Sequence, residues 1–199
     1  MVINVNKALL NWLDELDNLK LADYDRLPDI DLYMEQMVSY LDREAHILQK
    51  NSEDKQITSS MVNNYVKGKI VPAPKVKRYN KEQVSLLTEL IYLKQVLALP
   101  EIKQVFDTEY SQKNYREEYN KYLSINRAAI KEAVNLTNEN LISCKENDTK
   151  DLTDLALSLA AKANAYATIS KRILYLLNIL KYVNEDANLT QQEGKEKEE

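Results

Sequence analysis

Residues 60, 63, 64 and 67 are Ser, Asn, Asn and Lys, a spacing that places all four on one face of a helix. Val62, Tyr65 and Val66 share the opposite face. An asparagine amide carries a donor and an acceptor side by side, and a lysine carries a donor with charge. Such a face can read hydrogen-bonding edges. Thr58 is a good N-cap for this helix, which is expected over 58–67. Beyond it, the twelve residues 67–78 contain Lys67, Lys69, Lys75, Lys77 and Arg78 and no acid. Pro72 and Pro74 stiffen that loop. A polar helix face is by itself usually just solvated; its union with a cationic loop points to a polyanion, and to nucleic acid in particular. Asn63 and Asn64 are then candidate base readers. Ser59, Ser60 and Lys67 could read bases or hold phosphates. Lys69, Lys75, Lys77 and Arg78 are expected on phosphates, which dominate protein–DNA hydrogen bonding. Tyr79 is expected to anchor the loop in the core, with its hydroxyl available to a phosphate.

The elements that must position this stretch are helices. Only 2 glycines and 4 prolines occur in 199 residues, too few for the tight turns of a sheet-rich fold. Apolar periodicity predicts helices over 5–20 (Leu9, Trp12, Leu13 and Leu16 inward), 31–49, 80–99, 100–106, 110–142 and 151–183. Asn80 and Gln83 form a capping-box pair at the start of the fourth helix, 80–99. Gly68 stands where a left-handed C-cap would be needed. Ile70, Val71 and Val76 around the prolines suit a two-stranded ribbon. The last two helices are expected to pair as an antiparallel hairpin. Its second stripe is predicted to run through Leu152, Leu155, Leu159, Ala163, Tyr166, Ile173, Leu177 and Leu180. The segment 185–199 is polar and charged and is expected to be disordered.

Composition narrows the function classes. Hydrophobic residues make up 44% and mean hydropathy is −0.51, values of a chain with a real core. The formal charge of −4 resides in the last fifteen residues, so it does not oppose a local basic patch. Cys144 is the one cysteine and His46 the one histidine, which excludes an intramolecular disulfide, a cysteine-only zinc site and a histidine-rich metal site. His46, beside Glu44 on the polar side of its helix, is expected to be a surface residue and no part of a triad. No glycine-rich phosphate loop occurs. An enzyme is not expected, and neither a cofactor nor a metal. With no apolar run near the length of a membrane span and no cleavable leader, a cytoplasmic protein is expected. The tyrosines at 110, 115, 119 and 122 are expected to serve packing or dimerisation.

The run ITSSMVNNYVKGKIVPAPKVKRYNKEQVSLLTELIYLKQVLALPEIKQVF, from Ile57 to Phe106, resembles a MerR-type winged helix-turn-helix. The features that carry the likeness are Tyr65 closing the short helix, Pro72 and Pro74 in a basic loop, Tyr79 before the Asn80 cap, and the Glu101–Ile102 pair. More narrowly, LPDIDLYMEQMVSYLDRE with MVNNYVKGKIVPAPKVKRY is similar to a bacterial domain of unknown function, number 1836 in its series. The likeness implies an all-α fold with a winged helix-turn-helix and a short β-wing; the long C-terminal helical hairpin, read from the helix lengths, is expected to follow it. The expected divisions are 1–27 (helix and linker), 28–107 (winged helix), 108–184 (hairpin and dimerisation) and 185–199 (tail). The implied function is a transcriptional regulator that binds duplex DNA as a homodimer through the C-terminal helices. The alternative is a protein-interaction module that keeps the winged helix without DNA binding.

Overall fold

The structure, a computed structural model, describes residues 4–48 and 57–196, with side chains as far as 184. It is mostly helical. In chain order the elements are α1 (Val5–Asp17), β1 (Leu32–Tyr33), α2 (Met34–Glu44), α3 (Ser59–Lys67), β2 (Arg78–Tyr79), α4 (Lys81–Leu93), α5 (Leu99–Glu109), α6 (Tyr115–Leu141) and α7 (Thr149–Glu196). Short 3₁₀ turns occupy Tyr24–Arg26 and His46–Leu48. Part of the polar break after α2, 49–56, lies outside the described residues.

The fold is organised around α4, whose nine residues from Gln83 to Ile91 are all buried. An amphipathic surface helix would bury one stripe; α4 is covered on every side, so its polar residues Ser85, Thr88 and Glu89 are inside as well. The core continues from α4 into α2, α3, α5 and the start of α6, with Met37, Leu41, Val62, Ile102 and Tyr119 fully buried. Chain 20–29 straps onto α6: the Tyr24 N–H donates to Asn120 Oδ1 at 3.0 Å, and the Tyr119 hydroxyl donates to the Ala22 carbonyl at 3.1 Å. One core cluster therefore runs from Ala22 to Leu123. The divisions expected at 27/28 and 107/108 cut through it.

Helix ends depart from the sequence pattern for local reasons. Residues 32 and 33 join a strand instead of α2, because β1 pairs antiparallel with β2, Leu32 opposite Tyr79 and Tyr33 opposite Arg78. The ribbon expected within 70–78 thus takes its partner strand from ahead of α2. Helix α4 stops at Leu93 rather than 99, and a new helix, α5, starts at Leu99 with Pro100 in its first turn, where the missing N–H leaves no intrahelical bond unmade. Gly68 is not left-handed, with φ −73°. Lys69 takes that role, at φ 53°. The Ile70 N–H bonds to the Tyr65 carbonyl at 2.9 Å and the Lys69 N–H to the Val66 carbonyl at 3.0 Å. That is a Schellman cap shifted one residue beyond the glycine.

The C-terminal helices differ most from expectation. Helix α7 continues to Glu196, past position 184, and no glycine or proline interrupts it before Gly194. It packs on α6 and also on α5, where Gln104 Nε2 donates to the Leu174 carbonyl at 2.8 Å. Its half-buried stripe begins as predicted, at Leu152, Leu155 and Leu159, then turns to Ala167, Ser170 and Leu174. Tyr166, Ile173, Leu177 and Leu180 are exposed. In α1, Leu13 is buried whereas Trp12 is 43% exposed.

Candidate nucleic-acid interface

Helix α3 is built by its sequence in three steps. The Thr58 hydroxyl accepts from the Met61 N–H at 3.3 Å and starts the first turn. Val62 and Tyr65 then bury one face, and the shifted Schellman cap at Lys69 ends it. The face left outside consists of Ser59, Ser60, Asn63, Asn64 and Lys67, all exposed. The four residues grouped by spacing, and Ser59 with them, are therefore together on one surface.

The loop after α3 is tied down at both ends. Ile70 and Val71 are buried in the core. Gln83 makes two bonds that fix its exit: Gln83 Oε1 accepts from the Asn80 N–H at 2.8 Å, and Gln83 Nε2 donates to the Pro72 carbonyl at 2.9 Å. The capping-box reading caught the first bond. The second was not legible, since nothing local marks the Pro72 carbonyl as a partner.

Between these anchors, Lys75 to Arg78 form a four-residue turn, closed by the Arg78 N–H on the Lys75 carbonyl at 2.9 Å. Its central residues have φ 49° (Val76) and 62° (Lys77), the pattern of a type I′ turn. Asn and Gly normally hold those positions. A β-branched residue there is strained, and Val76 is also 90% exposed. With Lys69, three residues of this one loop sit in the left-handed region.

Lys69, Lys75, Lys77 and Arg78 are exposed. Among the described residues, the ammonium groups of Lys67, Lys69, Lys75 and Lys77 are in no hydrogen bond or ion pair. Arg78 has a partner, but not an acid: its guanidinium lies 4.7 Å from the centre of the Tyr33 ring and Nη2 donates to the Tyr33 hydroxyl at 2.7 Å. Sequence reasoning missed Tyr33, because the contact depends on the β1–β2 register. Three acids of the strap ahead of β1 are engaged elsewhere. Asp23 pairs with Arg26, Asp25 with Arg116 and Asp29 with Lys81.

Tyr79 is the exception among the proposed contact residues. On β2 side chains alternate, so Arg78 points out and Tyr79 in, only 2% exposed. Burial raises its phenol pKa above the ordinary value. It anchors the loop and leaves little of its side chain at the surface.

Among the described residues, no cluster of three or more His, Cys, Asp or Glu could hold a metal ion, and no helix is long and apolar enough to cross a membrane. Neither a curated protein nor a solved structure matches the chain. A family model does match, over residues 22–125, close to the extent of the Ala22–Leu123 core cluster. The chain belongs to the family described as Domain of unknown function (DUF1836).

Proposed function

We propose that the chain is a DNA-binding regulator in which α2 and α3 act as a helix-turn-helix and residues 68–79 as its wing. In this reading α3 enters the major groove with Asn63 and Asn64 toward base edges. Lys69, Lys75, Lys77 and Arg78 hold phosphates. The observation that carries it is the continuity of the exposed amide-and-hydroxyl face of α3 with a loop of cations that have no acidic partner among the described residues. Had the acids of 14–31 folded onto Lys75 to Arg78, the interaction-module alternative would be favoured. Among the described residues none of them is in an ion pair with those cations, and three of them have other partners. Asp23, Asp25 and Asp29 pair with Arg26, Arg116 and Lys81.

A homodimer through α7 belongs to the same reading, because palindromic sites call for a two-fold protein. Its support is a row of exposed side chains on α7: Tyr166, Ile169, Ile173, Leu176, Leu180 and Val183. Their spacing alternates between three and four residues, the seam of a coiled coil.

Fluorescence anisotropy with labelled duplexes at low ionic strength tests the proposal, with sites drawn from genomic mapping of the tagged protein. Affinity is expected to fall steeply with salt. Lys77→Ala should weaken all duplexes alike and lower the log–log salt slope by about one. Asn63→Ala should weaken the preferred site by about 1–3 kcal/mol and leave random duplex unchanged. Absence of salt-dependent binding to any duplex would sink DNA recognition and leave the interaction module.

A further inference from the structure

A second feature stands apart from α3 and its wing. Where α1, α6 and α7 come together they enclose a trough of about 890 Å³, within the range of small-molecule sites. Trp12 and Leu16 of α1, Ala133 of α6, and Leu155, Leu159 and Ala163 of α7 contribute to its apolar walls. One end is held rigid. The 142–148 turn between α6 and α7 is bonded to the start of α1, with the Val5 N–H donating to Asn147 Oδ1 at 2.7 Å and the Asn147 N–H to Asn6 Oδ1 at 2.9 Å. The charged side chains in the lining are Glu132 of α6 and Lys162 of α7. Both lie toward the end away from the turn, and neither has an ion pair or hydrogen bond among the described residues.

We propose that this trough binds a single-chain amphiphile with a zwitterionic head, its tail toward the turn and its head between Glu132 and Lys162. The lining of α7 from Leu152 to Tyr166 rises about 21 Å, long enough for an extended alkyl chain. Its methylenes would supply the dispersion contacts that the facing alanines and leucines lack across the gap. The charges select the head. A head of one sign is attracted by one wall and repelled by the other, whereas a head of both signs meets each wall favourably. The exposed row of α7 proposed for a second copy meets the trough only at Tyr166; from Ile169 to Val183 it lies outside the lining.

Trp12 is the only tryptophan and stands in the wall, which makes it the reporter. The full-length protein would be titrated with dodecylphosphocholine below its micelle concentration while Trp12 emission is followed. A saturable blue shift at one molecule per chain is expected. Ala133→Phe and Ala163→Phe project into existing space, and each should weaken binding about tenfold or more with unchanged circular dichroism. Lys162→Glu should switch the preference to dodecyltrimethylammonium, a readout independent of the filling variants. The proposal is overturned by no saturable shift, or by a shift that persists in both filled variants, which marks surface adsorption. An emission already blue that varies with protein concentration overturns it too, since a second copy then occupies the trough.

Discussion

Glu89 is a carboxylate in the middle of the most buried helix, 4% exposed, with the Tyr110 hydroxyl donating to its Oε2 at 2.6 Å. Burial pushes its pKa up from the ordinary 4.5 to about 7, and Glu109 and Glu118 push the same way. The Tyr110 bond and Lys121 oppose them. The folded chain therefore holds a proton that the unfolded chain releases near pH 4.5. The stability this group contributes is full below that pH and is lost as pH rises through 7. Glu89→Gln keeps an oxygen for Tyr110 and removes the buried charge. It should be more stable than the wild type at pH 8, by up to about 3 kcal/mol, and nearly equal to it at pH 4. Thermal unfolding at both pH values checks this; a gain of equal size at both would refute the assigned titration. Glu89 was not legible in the sequence. The apolar stripe of α4 at Val84, Leu87, Leu90 and Ile91 leaves Glu89 off to one side, where a helix with one dry face would show it to water. Only the covering of the other faces, by residues distant in the chain, makes it buried.

At the scale of elements, what depends on neighbours a few residues away was readable, and what depends on distant pairing was not. The Thr58 cap, the Asn80–Gln83 box and the polar face of α3 follow from spacing alone, and the structure has all three. The partner of β2 is β1, 45 residues earlier in register at Tyr33 and Arg78, and no local signal names it. Nor does the sequence look like a type I′ turn at Val76–Lys77, because β-branched and lysine residues are poor choices at positive φ. That mismatch yields a prediction. Val76→Asn gives the turn a residue that tolerates the left-handed region and leaves every cation in place. It should stabilise the protein by about 1 kcal/mol, read as a higher urea midpoint with an unchanged slope. A lower midpoint would mean that Val76 does not hold positive φ in solution. If the wing serves only through its charges, affinity for random duplex should stay the same. Lys69→Gly offers a companion measurement, since it relieves a left-handed residue while removing a phosphate contact. Stability should then rise while the salt slope falls by about one.

The whole molecule divides by core, and the core crosses the boundaries expected at 27/28 and 107/108. Tyr110, Tyr115, Tyr119 and Leu123 were assigned from the sequence to a separate hairpin, yet they pack with Leu27, Leu41 and Leu87 in one cluster. Composition does not change at 107, so the closing of the core by α6 could be learnt only from the fold. Helix α7 is the reverse case, a helix plain in the sequence whose buried face is not. Apolar residues surround it between 166 and 183, and a helix hydrophobic on every side demands more than one partner. Within the chain α5 and α6 supply one partner, through Leu174 and the Leu152–Leu159 stripe. The other side, Ile169 to Val183, stays exposed at 43–59% for Ile169, Ile173, Leu176, Ile179, Leu180 and Val183. A patch of that length on a single soluble chain is expected to be an interface, and a second α7 has the same three-and-four spacing to offer. Sedimentation velocity across a hundredfold range of protein concentration reads it directly. The wild type should sediment as a dimer. Ile173→Asp with Leu176→Asp should sediment as a monomer while its thermal unfolding stays close to that of the wild type, because neither side chain belongs to the core cluster. That variant should also lose affinity for a palindromic duplex far more than for a half-site, since one wing and one α3 remain intact on each chain. A wild type that stays monomeric throughout would remove the dimer from the proposal and leave α7 to a different partner.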